Sequence, residues 1–170
     1  VTITNRYESG ARVLEGRFPE SHGSPAIQFD LRIVDEPLKK PPMVVSWPLN
    51  ALRSALAHKV GAMAVEGSIS VGGQRYEVPA EHSMAAMDHT QGFFGTRTSW
   101  LWASMTALSD WGAHIALDVD ELRNDQTLNR NCFLWIDRAL IHLPNVTFDY
   151  DQPAHDWRIH SSDGRVDLTF

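Results

Sequence analysis

The chain has one cysteine, Cys132, among 170 residues, which excludes an internal disulfide framework. Cys132 lies in the apolar run Cys132-Phe133-Leu134-Trp135, where a thiol reads as buried and inert. No window approaches the ~18–20 consecutive apolar residues of a membrane-spanning helix, so an integral membrane protein is not expected. The N-terminus carries no secretory signal pattern, and with the lone thiol this makes a cytoplasmic location the expectation. Positive charge is also scarce: 15 Lys and Arg stand against 21 Asp and Glu, for a net charge of -6. Lys39-Lys40 is the only adjacent Lys/Arg pair, and Pro41-Pro42 follows it directly, as in a solvated loop. Nucleic acid and anionic membrane both call for a basic surface, so neither is an expected partner. There is no repeat of fixed period and no low-complexity tract.

What remains is a chain of single-domain length with a period-two hydrophobic pattern. Val13-Leu14-Glu15-Gly16-Arg17-Phe18 is one short strand-like run. Ile27, Phe29, Leu31 and Ile33 alternate with Gln28, Asp30 and Arg32, as a half-buried strand does. Asp35 to Pro42 reads as a loop. From Trp47 to His58, Leu49, Leu52 and Leu56 fall at helical spacing, which predicts a short helix capped by Asn50. Alternation returns with Met63, Val65, Ile69 and Val71, and Gly72-Gly73 then predicts a hairpin into Tyr76 and Val78.

Glu81 to Arg97 reads as irregular and polar. Thr98–Leu108 and Ala113–Val119 form an antiparallel pair across a Ser109-Asp110 turn. Asp120 to Asn131 is polar, and Phe133 to His142 is a strand with a bulge at Asp137-Arg138. Val146–Tyr150 follows, and Trp157–His160 pairs with Val166–Phe170 across Ser161-Ser162-Asp163-Gly164. The total is about nine strands and one short helix, without βαβ alternation, which predicts an all-β antiparallel barrel or sandwich. The chain opens at Val1 already in alternation and stops at Phe170 within another. This predicts a piece of a longer protein, in which pairing with the remaining half or another subunit is expected.

Asp88-His89-Thr90-Gln91 through Arg97 to Trp100-Leu101-Trp102 carries the functional signal. A carboxylate beside an imidazole can set the ring tautomer and tune its basicity. Two indoles spaced by two on a strand share a face, and their π-faces stabilise a cation. Gln91 and Arg97 would orient polar groups of a bound molecule. The competing readings are a turn in which Asp88 caps the backbone and a core strand with two inward tryptophans.

Other chemistries find less. His58, His82, His89, His114, His142, His155 and His160 show no tight metal-ligand spacing, so no metal is expected. There is no Gly-x-Ser-x-Gly nucleophile elbow, and Gly72-Gly73 is no phosphate loop, because no helical pattern follows it. Asn145-Val146-Thr147 matches a glycosylation acceptor, which reads as accidental without a signal.

Ala86-Met87-Asp88-His89-Thr90-Gln91-Gly92, followed by Arg97-Thr98-Ser99-Trp100-Leu101-Trp102-Ala103-Ser104, resembles the signature of an uncharacterised bacterial and fungal domain family. Val65-Glu66-Gly67 with Val71–Tyr76, and Trp157-Arg158-Ile159 with Gly164–Phe170, fit the same family. The resemblance spans most of this chain and only part of a typical member. The family is distantly similar to carotenoid 1,2-hydratases and other lipocalin-like proteins. That likeness implies a lipocalin-like fold of curved antiparallel β-domains, and hydration or cyclisation of isoprenoid or polyketide substrates. In the hydratases a His-Asp-His type segment precedes tryptophans, so the matching positions are Asp88, His89, Trp100 and Trp102. Met87 stands in place of the first histidine.

Two functions are therefore expected. One is acid catalysis on a hydrophobic small molecule, with Asp88 or His89 as proton donor and no organic or metal cofactor. The other is non-catalytic binding of a lipid or similar apolar molecule, with Asp88 and Arg97 as a structural ion pair at the pocket mouth. A purely structural β-domain is a third reading.

Overall fold

The computed structural model describes residues 1–33, 40–124, 127–151 and 156–170. These residues form fourteen strands: β1 (Thr2–Glu8), β2 (Ala11–Phe18), β3 (Ile27–Ile33), β4 (Met43–Asn50), β5 (Arg53–Val71), β6 (Gln74–Val78), β7 (Met84–Gly92), β8 (Thr98–Leu108), β9 (His114–Asn124), β10 (Thr127–Ile136), β11 (Ala139–His142), β12 (Val146–Asp151), β13 (Asp156–Ser161) and β14 (Asp167–Thr169). All pairings are antiparallel. Among the described residues the sheets are open, so the all-β expectation holds while the barrel does not. One sheet has seven strands, one has four in the order β11-β10-β9-β8, and one has three in the order β12-β13-β14.

The expected helix is absent. Trp47 to His58 is the end of β4, a tight turn and the start of β5. Its three leucines do not share a face, since Leu49 is buried and Leu52 is 94% exposed. Asn50 does cap, but it caps the hairpin: its Oδ1 accepts the Leu52 N–H at 2.8 Å. The strand total also rises from about nine because polar segments pair. Glu81 to Arg97 contains β7, and the polar stretch from Asp120 lengthens β9 and begins β10. The bulge expected at Asp137-Arg138 is a turn between β10 and β11, with Asp137 at φ 50°. The loop predicted at Asp35 to Pro42 lies mostly outside the described residues, as does His155.

β5 organises the fold. Its first half pairs with β4 and β7, and its second half pairs with β3 and β6. Pairing with β4 ends at Lys59, pairing with β7 runs on to Ala64 and pairing with β3 begins at Val65; between them Ala62 takes φ 52° and the β7 register slips between Val60 and Met63. Gly61 lets β5 press on β9, since a Cβ there would lie 2.3 Å from the Ala116 Cβ.

The four-stranded sheet is covered on both faces. Met43, Ala62, Trp47, Leu49, Ala55 and Ala57 meet Ala116, Leu122, Phe133 and Trp135 on one side. On the other side Leu117, Val119 and Cys132 pack against Val146, Ile159 and Val166. β9 is consequently buried from Ala116 to Leu122 whatever the residue type, and this forces Asp118 and Asp120 inside.

Burial pushes the Cys132 thiol up to about 12, and the carboxylates of Asp118 and Asp120 add to the shift. Because the thiolate is the nucleophile, a disulfide reagent at neutral pH should leave Cys132 unmodified in the folded protein. Full labelling is expected in denaturant. Rapid labelling without denaturant would contradict the packing between these two sheets.

Candidate functional site

Three strands bring charge, and a fourth brings indoles, to one place between the facing sheets. On β5 and β7, Lys59 is paired with Asp88. On β9 and β8, Asp120 is paired with Trp102 and Asp118 with Ser104. Strand alternation turns Lys59, Asp88, Asp118, Asp120, Trp100 and Trp102 into the same interior. Lys59 is 3% exposed. Its ammonium lies 2.8 Å from Asp118 Oδ1, 3.2 Å from Asp120 Oδ2 and 3.3 Å from Asp88 Oδ2. The ammonium donates hydrogen bonds to Asp118 and Asp120 and forms an ion pair with Asp88.

The carboxylates are held in turn. The Trp102 indole donates to Asp118 Oδ2 at 3.0 Å. The Asn131 amide donates to Asp120 Oδ1 at 2.9 Å, and the Thr90 hydroxyl donates to Asp88 Oδ1 at 2.9 Å. The Lys59 ammonium also sits 5.4 Å from the centroid of the Trp102 ring, a cation–π distance.

Burial alone would pull the Lys59 pKa down, but Asp118, Asp120 and Asp88 outweigh it and raise the pKa above the usual lysine value. Burial lifts the Asp120 carboxyl above its ordinary value, against the opposing pull of Lys59 and Asn131.

Beside this cluster lies a cavity of about 310 Å³, lined by Trp47, Lys59, Asp88, Thr90, Trp100, Trp102 and Asp120. Trp100 and Trp102 also wall a neighbouring apolar groove of about 360 Å³, completed by Leu101, Ala103, Phe148, Trp157, Ile159 and Phe170. Phe94 meets Trp100 edge-on at 5.4 Å between ring centroids.

Of the residues singled out in the sequence, the fold unites Asp88, Trp100 and Trp102. His89 does not join them. It follows Asp88 without a bulge, so it faces the opposite side of the sheet, across from His58. Gln91 lies on that outer face too, opposite Leu56. Arg97 is exposed in the β7–β8 connection and lines none of these cavities. The ion pair of Asp88 is with Lys59, not Arg97.

Sequence reasoning missed Lys59, Asp118, Asp120, Trp47 and Thr90. A signal was there: charges inside the apolar runs Ala57–Met63 and Ala116–Val119 are best explained as partners of one another. Among the described residues no group of three or more His, Cys, Asp or Glu is arranged to hold a metal ion. None of them forms a helix long and apolar enough to cross a membrane.

The signature that carries Asp88, Trp100 and Trp102 is shared with other proteins. A profile for a domain of unknown function, DUF2804, matches residues 1–170. The chain belongs to the DUF2804 family. No curated protein and no solved structure matches it. The likeness of the DUF2804 chain to lipocalin-like proteins and carotenoid 1,2-hydratases therefore finds no support in these comparisons.

Proposed function

We propose that this chain binds a small molecule with a large apolar part in the cavity between β7 and β8. The observation that carries this reading is the lining itself: three indoles and two carboxyls, from Asp88 and Asp120, around one space of about 310 Å³. Binding sites of this kind are mostly apolar with a few convergent polar groups, and about 300 Å³ is within their usual size.

A catalytic version of this reading has its own support. Burial makes the Asp120 carboxyl a better proton holder than an ordinary aspartate, and it lines the cavity next to Trp100 and Trp102. Acid-driven hydration or cyclisation of an isoprenoid or polyketide alkene would start there. The carboxyl proton passes to one alkene carbon, the π electrons form the new C–H bond, and the neighbouring carbon becomes cationic. Water then adds and loses an O–H proton, or a second alkene adds and the new cation loses a proton from a neighbouring carbon; either proton returns to the carboxylate. The indole faces stabilise the cation. Asp88 is the alternative donor. His89, on the outer face, is not in reach of the same space.

Purified protein should carry, or take up from a cell extract, an apolar compound that mass spectrometry identifies. Trp100→Ala should lower its affinity by about tenfold, in line with the loss of one aromatic wall. One of Asp120→Asn and Asp88→Asn should abolish turnover of the bound compound. An empty pocket in every extract would remove the binding reading. Binding with no turnover in any extract would leave a carrier.

A further inference from the structure

The occupant of this cavity has a definable charge. Lys59 brings one positive charge, and Asp88, Asp118 and Asp120 bring three negative ones. Among the described residues no other Lys or Arg lies within 4 Å of these carboxylates. The cluster therefore holds a formal surplus of two negative charges, or one when Asp120 takes a proton. An anionic ligand has no partner here. Lys59 already donates to Asp118 and Asp120 and is ion-paired with Asp88, and its side chain is only 4% exposed.

The cavity walls favour the opposite sign. Trp100 and Trp102 are 47% and 53% exposed, far more than core tryptophans such as Trp135. Indole faces attract cations, and the surplus charge beneath them strengthens that attraction in a partly desolvated site. Asp88, with its side chain 35% exposed, is the carboxylate most open to the cavity.

Trp47 adds a third indole wall to the same cavity and is 3% exposed.

From these features we infer that the cavity takes an organic cation, a protonated amine or quaternary ammonium with an apolar body. This rests on the cavity being a binding site, and it adds the charge of the ligand. It also fits the catalytic version, because a site built for a stable ammonium equally favours a cation that forms during reaction.

Four probes of similar length separate the outcomes: hexyltrimethylammonium, hexan-1-ol, hexanoate and butyrylcholine, titrated into the whole chain by calorimetry. Hexyltrimethylammonium should bind at least about tenfold more tightly than hexan-1-ol or hexanoate. Butyrylcholine, a second quaternary ammonium, should also bind more tightly than the alcohol and the carboxylate. Asp88→Asn should remove most of the preference for the cation. Trp100→Leu should do the same without touching the charge cluster, and so guards against a folding defect in the first variant. Equal binding of the cation and the alcohol would overturn the inference while leaving an apolar binding site. Tighter binding of hexanoate would overturn it by making Lys59 an anion site. Failure of all four, with nothing recovered from extracts, would remove the binding site itself.

Discussion

Lys59→Met is expected to destabilise the fold by about 3–5 kcal/mol, the usual cost of removing one partner from a buried ion cluster. The methionine fills the same space, so little of the loss would come from packing. What remains is electrostatic. Asp118 and Asp120, at 5% and 1% exposure, would lie beside each other without a counter-charge. Equilibrium denaturation would measure the loss, and a change below about 1 kcal/mol would mean that the cluster is not held as described. Adding Asp118→Asn and Asp120→Asn to Lys59→Met should recover much of the stability, because neutral amides need no counter-charge.

The pH dependence has a definite sign. Asp120 binds its proton more tightly folded than unfolded. Its favourable contribution is complete below the unfolded value and is lost as pH rises through the folded one. Without Lys59 that folded value rises further, so Lys59→Met should regain stability as pH falls below neutral, and the gap to the parent should narrow. The parent behaves differently at the alkaline end. The Lys59 pKa is raised by folding, so its contribution is present below about pH 10 and is lost as pH climbs through the folded value.

Gly67→Ala should cost about 3 kcal/mol or more, enough to leave a marginal domain largely unfolded. Gly67 stands in β5 opposite Leu31 with φ at 137°, a conformation that residues with a Cβ rarely adopt. Space is lacking as well as freedom: a Cβ built there would sit 2.0 Å from the Asp30 carbonyl oxygen and 3.0 Å from the Leu31 Cα. Those are backbone atoms of a paired strand, so β3 would have to move away from β5 and strain the ladder from Ile27 to Ile33. The melting temperature and the yield of soluble protein would measure the effect. A Gly67→Ala protein that melts with the parent would show that the close approach of β3 and β5 is not real. Gly10→Ala is the control. It also has a positive φ, at 75°, but nothing lies within 4 Å of its would-be Cβ. It should cost only the backbone strain, roughly 1 kcal/mol.

The strands that read most clearly in the sequence are those in which apolar and polar residues take turns. β3, β6, β8 and the β13–β14 hairpin alternate openly and lie where the pattern puts them. β7 reads as a loop for a reason tied to the site. Its inner positions are Asp88, Thr90 and Gly92, which face the charged interior, and its outer positions are His89 and Gln91, which face solvent. With polar residues on both sides there is no alternation to detect. The false helix at Trp47–His58 has a similar origin, because Leu52, at the tip of the turn, completes a spacing of three and four by coincidence.

Composition and alternation alone determined that this is an antiparallel β-protein without an internal disulfide, while the local motif offered Asp88, His89, Gln91, Arg97, Trp100 and Trp102 as candidates for one site. Period-two patterning records which face of a strand is dry, and that is a local property. Which strands stack across the interior is not local. Only the tertiary structure decided that Lys59, Asp118 and Asp120 meet Asp88. They come from β5 and β9, on facing sheets, and their side chains became partners because burial left each charge nowhere else to be satisfied.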